Sequence, residues 1–212
     1  MMQFARTMQL IGEDGLARLR GATVAVFGLG AVGSYVVEAL ARAGVGSLVL
    51  FDHDVVSASN INRQLFALHS TVGRPKAEVA RARVLDINPD CAVEARIQFV
   101  DGENVAGLME ARFDVVVDAI DGVNSKVNLI VAAREAGLPV VASMGAAAKL
   151  DPSRIKAADI SKSFMCPLAQ IIRKRLRRRG VTSGVNCVFS TEAAQNKNEP
   201  VIDEAPEQGV SG

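Results

Sequence analysis

The chain has 212 residues, of which 49% are hydrophobic and 22% charged, with a formal net charge of +1. That length supports one sizeable core but not two ordinary domains, and the composition excludes wholesale disorder. The near-neutral balance excludes a molecule-wide field for nucleic acid or membrane, so any polyanion must meet a local patch. In chain order, residues 23–27 (TVAVF) form an apolar run ending in glycines and predict a buried strand. Residues 32–43 predict a helix with Val36, Val37, Leu40 and Ala43 on its apolar side. Residues 47–51 (SLVLF) predict a second strand ending at Asp52, and residues 75–87 a charged amphipathic helix stopped by Asn88-Pro89. Strands follow at 93–100, 113–117 and 139–143, with a helix at 127–136 closed by Gly137. Further on, residues 154–160 and 185–190 predict strands, and 167–179 a helix with Pro167 in its first turn.

This alternation predicts a Rossmann-like, doubly wound α/β fold: a mostly parallel sheet with helices on both faces. Ligands in such sheets sit beyond the carboxyl ends of the strands. Residues 1–194 are expected to form the domain, and the polar stretch 195–212, with Pro200 and Pro206, a loose tail. No apolar run approaches the roughly 20 residues of a membrane helix, and the N-terminus does not read as a secretory signal. The three cysteines, Cys91, Cys166 and Cys187, form no C-x-x-C pair, which argues against a zinc site or a disulfide framework. The expected compartment is the reducing cytoplasm.

Gly28-Leu29-Gly30-Ala31-Val32-Gly33 is a G-x-G-x-x-G between a strand and a helix. Glycines there let backbone approach a phosphate, and the helix N-terminus supplies N–H donors and partial positive charge. Asp52 ends the next strand, where a carboxylate can accept from ribose hydroxyls. These features alone fit NAD, FAD or ATP, or a tight turn with no ligand.

The residues after Asp52 favour ATP. Asn60, Asn62, Arg63 and Gln64 make a polar cluster, followed by Lys76. A dehydrogenase has no clear use for such cations. Splitting ATP between its α- and β-phosphates builds charge on departing pyrophosphate, which fixed Arg and Lys can stabilise. Asp118 and Asp121 flank the end of the fourth strand, a place where a carboxylate can hold Mg²⁺ against phosphates.

The order GLGAVGS, LFDHD, SNINRQ, VGRPKAE, VVDAID over roughly residues 6–145 resembles the ThiF/MoeB/E1 adenylating superfamily. The resemblance implies that Gly28, Gly30 and Gly33 line the nucleotide and that Asp52 binds ribose. It implies that Asn60, Arg63, Gln64 and Lys76 surround the phosphates, with Arg63, Lys76 and Asp121 catalytic. Asp121 matches the family's magnesium aspartate, and Arg6 sits where some relatives present an arginine to a partner subunit's ATP. Gly122 departs from the Asn or Ser usual after that aspartate.

Branches that activate ubiquitin-like sulfur carriers often carry zinc pairs or a catalytic cysteine. Here Cys187 alternates within GVNCVFSTE like a buried residue. CVFSTE, the basic helix before it and GAAAKLDPSRIKAADISKS resemble the tRNA threonylcarbamoyladenosine dehydratases. That family adenylates the threonylcarbamoyl carboxylate on adenosine 37 of tRNA, and internal attack then closes a ring and releases AMP. The resemblance also implies a homodimer, a cysteine desulfurase/sulfur-acceptor system as partner, and a further C-terminal region of a few dozen residues. Arg173, Lys174, Arg175, Arg177, Arg178 and Arg179 crowd one stretch and are the candidates for tRNA contact. The competing readings are adenylation of a carrier's C-terminal glycine, an NAD-dependent oxidoreductase, and a nucleotide-binding scaffold without turnover.

Overall fold

The computed structural model of the chain describes residues 2–193, so the expected 195–212 tail lies outside the described residues. The first helix, α1 (Ala5–Gly21), is broken at Gly12, where φ is 74°. It has no counterpart in the sequence reading, because its glycines interrupt the apolar period. Next come β1 (Thr23–Phe27), α2 (Gly33–Ala43), β2 (Ser47–Phe51), α3 (Lys76–Ile87) and β3 (Ala92–Arg96). They are followed by α4 (Val105–Leu108), β4 (Val115–Asp118), α5 (Val123–Glu135) and β5 (Val140–Ser143). The last elements are β6 (Ile155–Asp159), α6 (Pro167–Arg178) and β7 (Asn186–Ser190).

Among the described residues the strands form one sheet of order β3-β2-β1-β4-β5-β7-β6. Every neighbouring pair is parallel except β6 with β7. The winding runs outward through β2 and β3, then returns to β4 on the other side of β1. The switch point therefore lies between β1 and β4, and a ligand crevice is expected beyond their carboxyl ends.

β1 and β2 read as continuous apolar runs because both of their faces are covered. Val24, Val26, Leu48 and Leu50 point to the core shared with Val37 and Ala41 of α2 and Ala80 and Val84 of α3. Ala25, Phe27, Val49 and Phe51 point to the opposite core, with Leu129 and Ile130 of α5 and Ile172 and Leu176 of α6. Phe27 and Phe51 stack there with centroids 4.2 Å apart. Each fully buried side chain of this size contributes about 1.5–3 kcal/mol.

Two boundaries differ usefully from the sequence reading. β3 ends at Arg96, which pairs with the last residue of β2, so the ladder stops there and does not continue to residue 100. The chain then turns, leaving Ile97 and Phe99 exposed and Val100 buried. α5 begins at Val123, four residues before the predicted start, because Asn124, Ser125 and Lys126 hide its first turn behind polar side chains.

Candidate active site

The crevice at the switch point is a cavity of about 640 Å³. Its floor is the glycine turn. Gly28 has φ 86°, and a Cβ there would meet the Ala119 carbonyl oxygen at 2.8 Å. A Cβ on Gly33 would lie 1.8 Å from the Gly28 carbonyl oxygen, so Gly33 is required for packing the first turn of α2 against the strand end. Gly28, Gly30, Ala31 and Val32 line the cavity, which aims the N-terminus of α2 into it.

Asp52 ties this turn to the next strand end. Its Oδ2 accepts from the Leu29 N–H at 2.7 Å and its Oδ1 from the Asp54 N–H at 2.8 Å. The carboxylate is buried and lines the cavity. Opposite the turn, Asn60 caps a short 3₁₀ turn, its Oδ1 accepting from the Ser57 N–H at 3.2 Å. The Asn60 carbonyl then accepts from the N–H groups of Arg63 and Gln64, which both line the cavity. Arg63 Nη1 donates to the Ser59 carbonyl at 2.8 Å and to Asn62 Oδ1 at 2.9 Å, which steadies the guanidinium. Lys76, in the first turn of α3, is buried and bonded to Asp54 Oδ2 at 2.7 Å.

The far wall begins at Asp121, which is exposed to the cavity just before α5. Gly122 caps that helix without a side chain. Beneath this wall Lys126 and Asp118 form an ion pair at 2.7 Å with both side chains wholly buried. Lys126 also donates to the Ser143 carbonyl at 2.9 Å, and Asp118 accepts from the Ile120 N–H at 3.1 Å. The ends of β4 and β5 and the start of α5 are thereby clasped together. Burial pushes the Asp118 carboxyl up, against the pull of the Lys126 ammonium.

The structure thus brings Gly28, Gly30, Asp52, Arg63, Gln64, Lys76 and Asp121 to one cavity. Gly33 and Asn60 support it from behind and are not among its lining residues. Arg6 lies on exposed α1, its Nη1 donating to Gln9 Oε1 at 3.2 Å. Asp118 is committed to Lys126 and does not line the cavity, so of the two aspartates only Asp121 remains a metal candidate.

Sequence reasoning missed Lys126 as the partner of Asp118, and it missed two wall segments. Gln98, Phe99 and Val100 close one side, with the Phe99 ring edge-on to His53 at 4.9 Å. Residues 145–147 close another, together with Leu168 of α6. The rule that ligands sit past strand ends would have flagged the first, had β3 been ended at Arg96. The chain that follows the 145–147 segment, at Lys149, Leu150 and Asp151, is held by Glu192. That carboxylate accepts from the Asp151 and Leu150 N–H groups, which hold it below the usual carboxylate range.

All three cysteines are free and buried. Burial pushes the Cys91 and Cys187 thiols up to about 11, so neither offers a thiolate near neutral pH. Among the described residues no helix is long and apolar enough to cross a membrane.

Residues 4–201 match the ThiF family. The tRNA threonylcarbamoyladenosine dehydratase of Bacillus subtilis is 45% identical over 191 residues, which cover 90% of this chain and 75% of that protein. The Escherichia coli protein of the same name is 42% identical over 198 residues, covering 90% and 74%. The crystal structure of E. coli tRNA N6-threonylcarbamoyladenosine dehydratase in complex with ATP superposes with a TM-score of 0.88 at 41% identity. That match covers 92% of this chain and 84% of that one.

Proposed function

The chain belongs to the ThiF family, and from that premise we propose that it is an ATP-dependent tRNA threonylcarbamoyladenosine dehydratase. The observation that carries this reading is the rim of the cavity: Arg63, Gln64, Lys76 and Asp121 stand around the N-terminus of α2. The phosphates of ATP lie over the glycine turn, the ribose against Asp52, and the adenine against the apolar wall of Phe51, Phe99, Val100 and Ile120. A carboxylate oxygen of the threonylcarbamoyl group on adenosine 37 bonds to the α-phosphorus. The bond between that phosphorus and the bridging oxygen breaks, and pyrophosphate departs with the electron pair. Arg63 and Lys76 stabilise the charge that builds there.

The acyl-adenylate then closes on itself. A nitrogen of the same modified side chain attacks the activated carbonyl carbon and loses its proton to solvent. AMP leaves with one of the original carboxylate oxygens, so the nucleoside is lighter by one water. This route needs positioning more than a nucleophile from the protein, which accords with three buried cysteines. Activation of a ubiquitin-like sulfur carrier, the alternative reading, gains no support from them.

Mg²⁺ fits the donor set, because it binds through one or two carboxylates plus substrate phosphates. Asp121 would hold it and it would neutralise phosphate charge. Arg6 is exposed on α1, and on family likeness we assign it to the ATP of a second copy and the chain to a homodimer. We also assign the domain to residues 1–194, the compartment to the cytoplasm, and a cysteine desulfurase/sulfur-acceptor system as a partner, all on family likeness.

The test is Asp121→Ala, assayed with ATP, Mg²⁺ and tRNA bearing threonylcarbamoyladenosine. Wild type yields AMP and a nucleoside lighter by one water on mass spectrometry. The variant, unchanged in melting temperature, yields neither. Full AMP formation by the variant removes the Asp121 assignment. AMP formed by wild type only with a small carrier protein replaces the substrate.

A further inference from the structure

The helix α6 carries two kinds of cation. Ala169, Ile172 and Leu176 form its buried stripe. On one flank, Arg173 donates from Nη1 to the Ser163 carbonyl at 2.7 Å and to Ser163 Oγ at 2.5 Å. That guanidinium is spent on anchoring the loop before the helix. On the other flank Leu168, Arg175 and Arg179 recur at i, i+7 and i+11, one strip along the helix, with Arg178 bordering it.

This strip faces a matching row on α5. Arg175 donates to Asn124 Oδ1, and Arg179 to Asn128 Oδ1 at 3.5 Å. The two asparagines are four residues apart, as are the two arginines. Between the rows lies a groove of about 470 Å³, lined by Asn124, Val127, Asn128, Arg175, Arg178 and Arg179. Three guanidiniums and no carboxylate line it. The acceptors of Arg175 and Arg179 are neutral amides, one of them at the limit of hydrogen-bond range. A phosphate in that place forms shorter, charge-assisted and bidentate bonds and relieves the repulsion among the three cations.

The groove and the nucleotide cavity share no lining residue but lie along the same two helices, α5 and α6. Leu168 lines that cavity and shares its strip with Arg175 and Arg179. Gly122 and Ser125 line it too, and Asn124 lies between them on the chain. Arg175 and Arg179 are about 6 Å apart along the helix axis, at ~1.5 Å per residue. That span is comparable with the separation of neighbouring phosphates in one strand.

We propose that this groove seats the RNA backbone beside the nucleotide whose carboxylate enters the cavity, with Arg175, Arg178 and Arg179 holding successive phosphates. The inference rests on the reading of tRNA as the substrate. It narrows the six basic residues of the sequence reading to three. Arg173 is a structural anchor, while Lys174 and Arg177 face solvent away from the groove.

The test compares R175Q/R178Q/R179Q with a charge control, K174Q/R177Q, in the full chain. A fluorescent anticodon-arm hairpin and intact tRNA are titrated across a KCl series. The triple variant should flatten the slope of log affinity against log salt by about 2–3 and weaken low-salt binding by about tenfold or more. The control should change both far less, and ATP affinity should hold in both variants. Equal losses in the two variants would mean a diffuse field and overturn the groove. So would an unchanged slope in the triple variant, or a loss for intact tRNA without one for the hairpin. The two readings separate cleanly. If wild type dehydrates no tRNA yet the triple variant still flattens the slope, the activity fails and the groove stands. If the triple variant dehydrates tRNA with an unchanged KM, the groove fails and the activity stands.

Discussion

Two lysine–aspartate pairs lie on opposite sides of the same cavity, each with a bond of 2.7 Å. Lys76 is 7% exposed and its partner Asp54 is 50% exposed. Lys126 and Asp118 are both 0% exposed. The bond length is identical and the surroundings are not. Asp54 is half exposed to solvent, so Lys76 can exchange that carboxylate for a phosphate at little cost. Lys126 has no such exchange, because its other bond goes to the Ser143 carbonyl and nothing mobile reaches it. One pair is a cation held ready at a rim, and the other is a strut that fixes where the rim stands.

Breaking the strut should have the largest effect. Lys126→Met leaves the Asp118 carboxylate buried without its partner, which costs about 3–5 kcal/mol. Urea unfolding measures this directly. Adding Asp118→Leu removes the stranded charge and should restore most of the loss, since an apolar replacement of a buried pair is often neutral or better. A single variant within about 1 kcal/mol of wild type would show that Lys126 is no strut.

Lys76→Ala sharpens the contrast from the other side. Its pair reaches solvent, so the stability cost should stay near or below about 1 kcal/mol. The rate of AMP formation should instead fall by about 10²–10³, the usual loss on removing one fixed donor to a developing anion. Pyrophosphate release under saturating ATP reads the rate, and urea unfolding reads the stability. A large stability loss with normal turnover would make the two lysines alike.

The same contrast explains what was legible in the sequence. Lys76 follows a polar turn cluster and stands at a helix start directly after a proline, which marks its place in the sequence. Lys126 sits inside a helix of mixed polarity, where a lysine reads as solvated surface until its burial is seen. The glycine turn, Asp52 and the parallel strands were legible because each depends on local pattern: two-faced apolar runs, then glycines, then a carboxylate. The 145–147 wall and the asparagine row facing α6 depend on how distant segments pack. Arg173 and Arg175 show this most plainly. They are two residues apart on one basic run, and only the fold sends one to Ser163 and the other to Asn124.

A third ion pair completes the series at its exposed end and is expected to have the smallest effect. Glu38 on α2 takes two bonds from Arg83 on α3, at 2.9 and 3.0 Å, and one from Arg42 at 2.7 Å. The Arg83 hydrogen bonds, and then Arg42, hold its carboxyl below the usual range. A carboxyl depressed in the folded state gives stability above its unfolded pKa and loses it as pH falls through the folded value. Stability of the wild type should therefore decline on acidification below the ordinary glutamate range, and Glu38→Gln should flatten that part of the curve. At neutral pH the substitution should cost no more than about 1 kcal/mol, because both arginines remain solvated. Urea unfolding of both proteins between about pH 6 and about pH 3 makes the comparison. If the two curves run parallel across that range, the α2–α3 bridge contributes nothing that protonation can remove, and exposure has already screened it out.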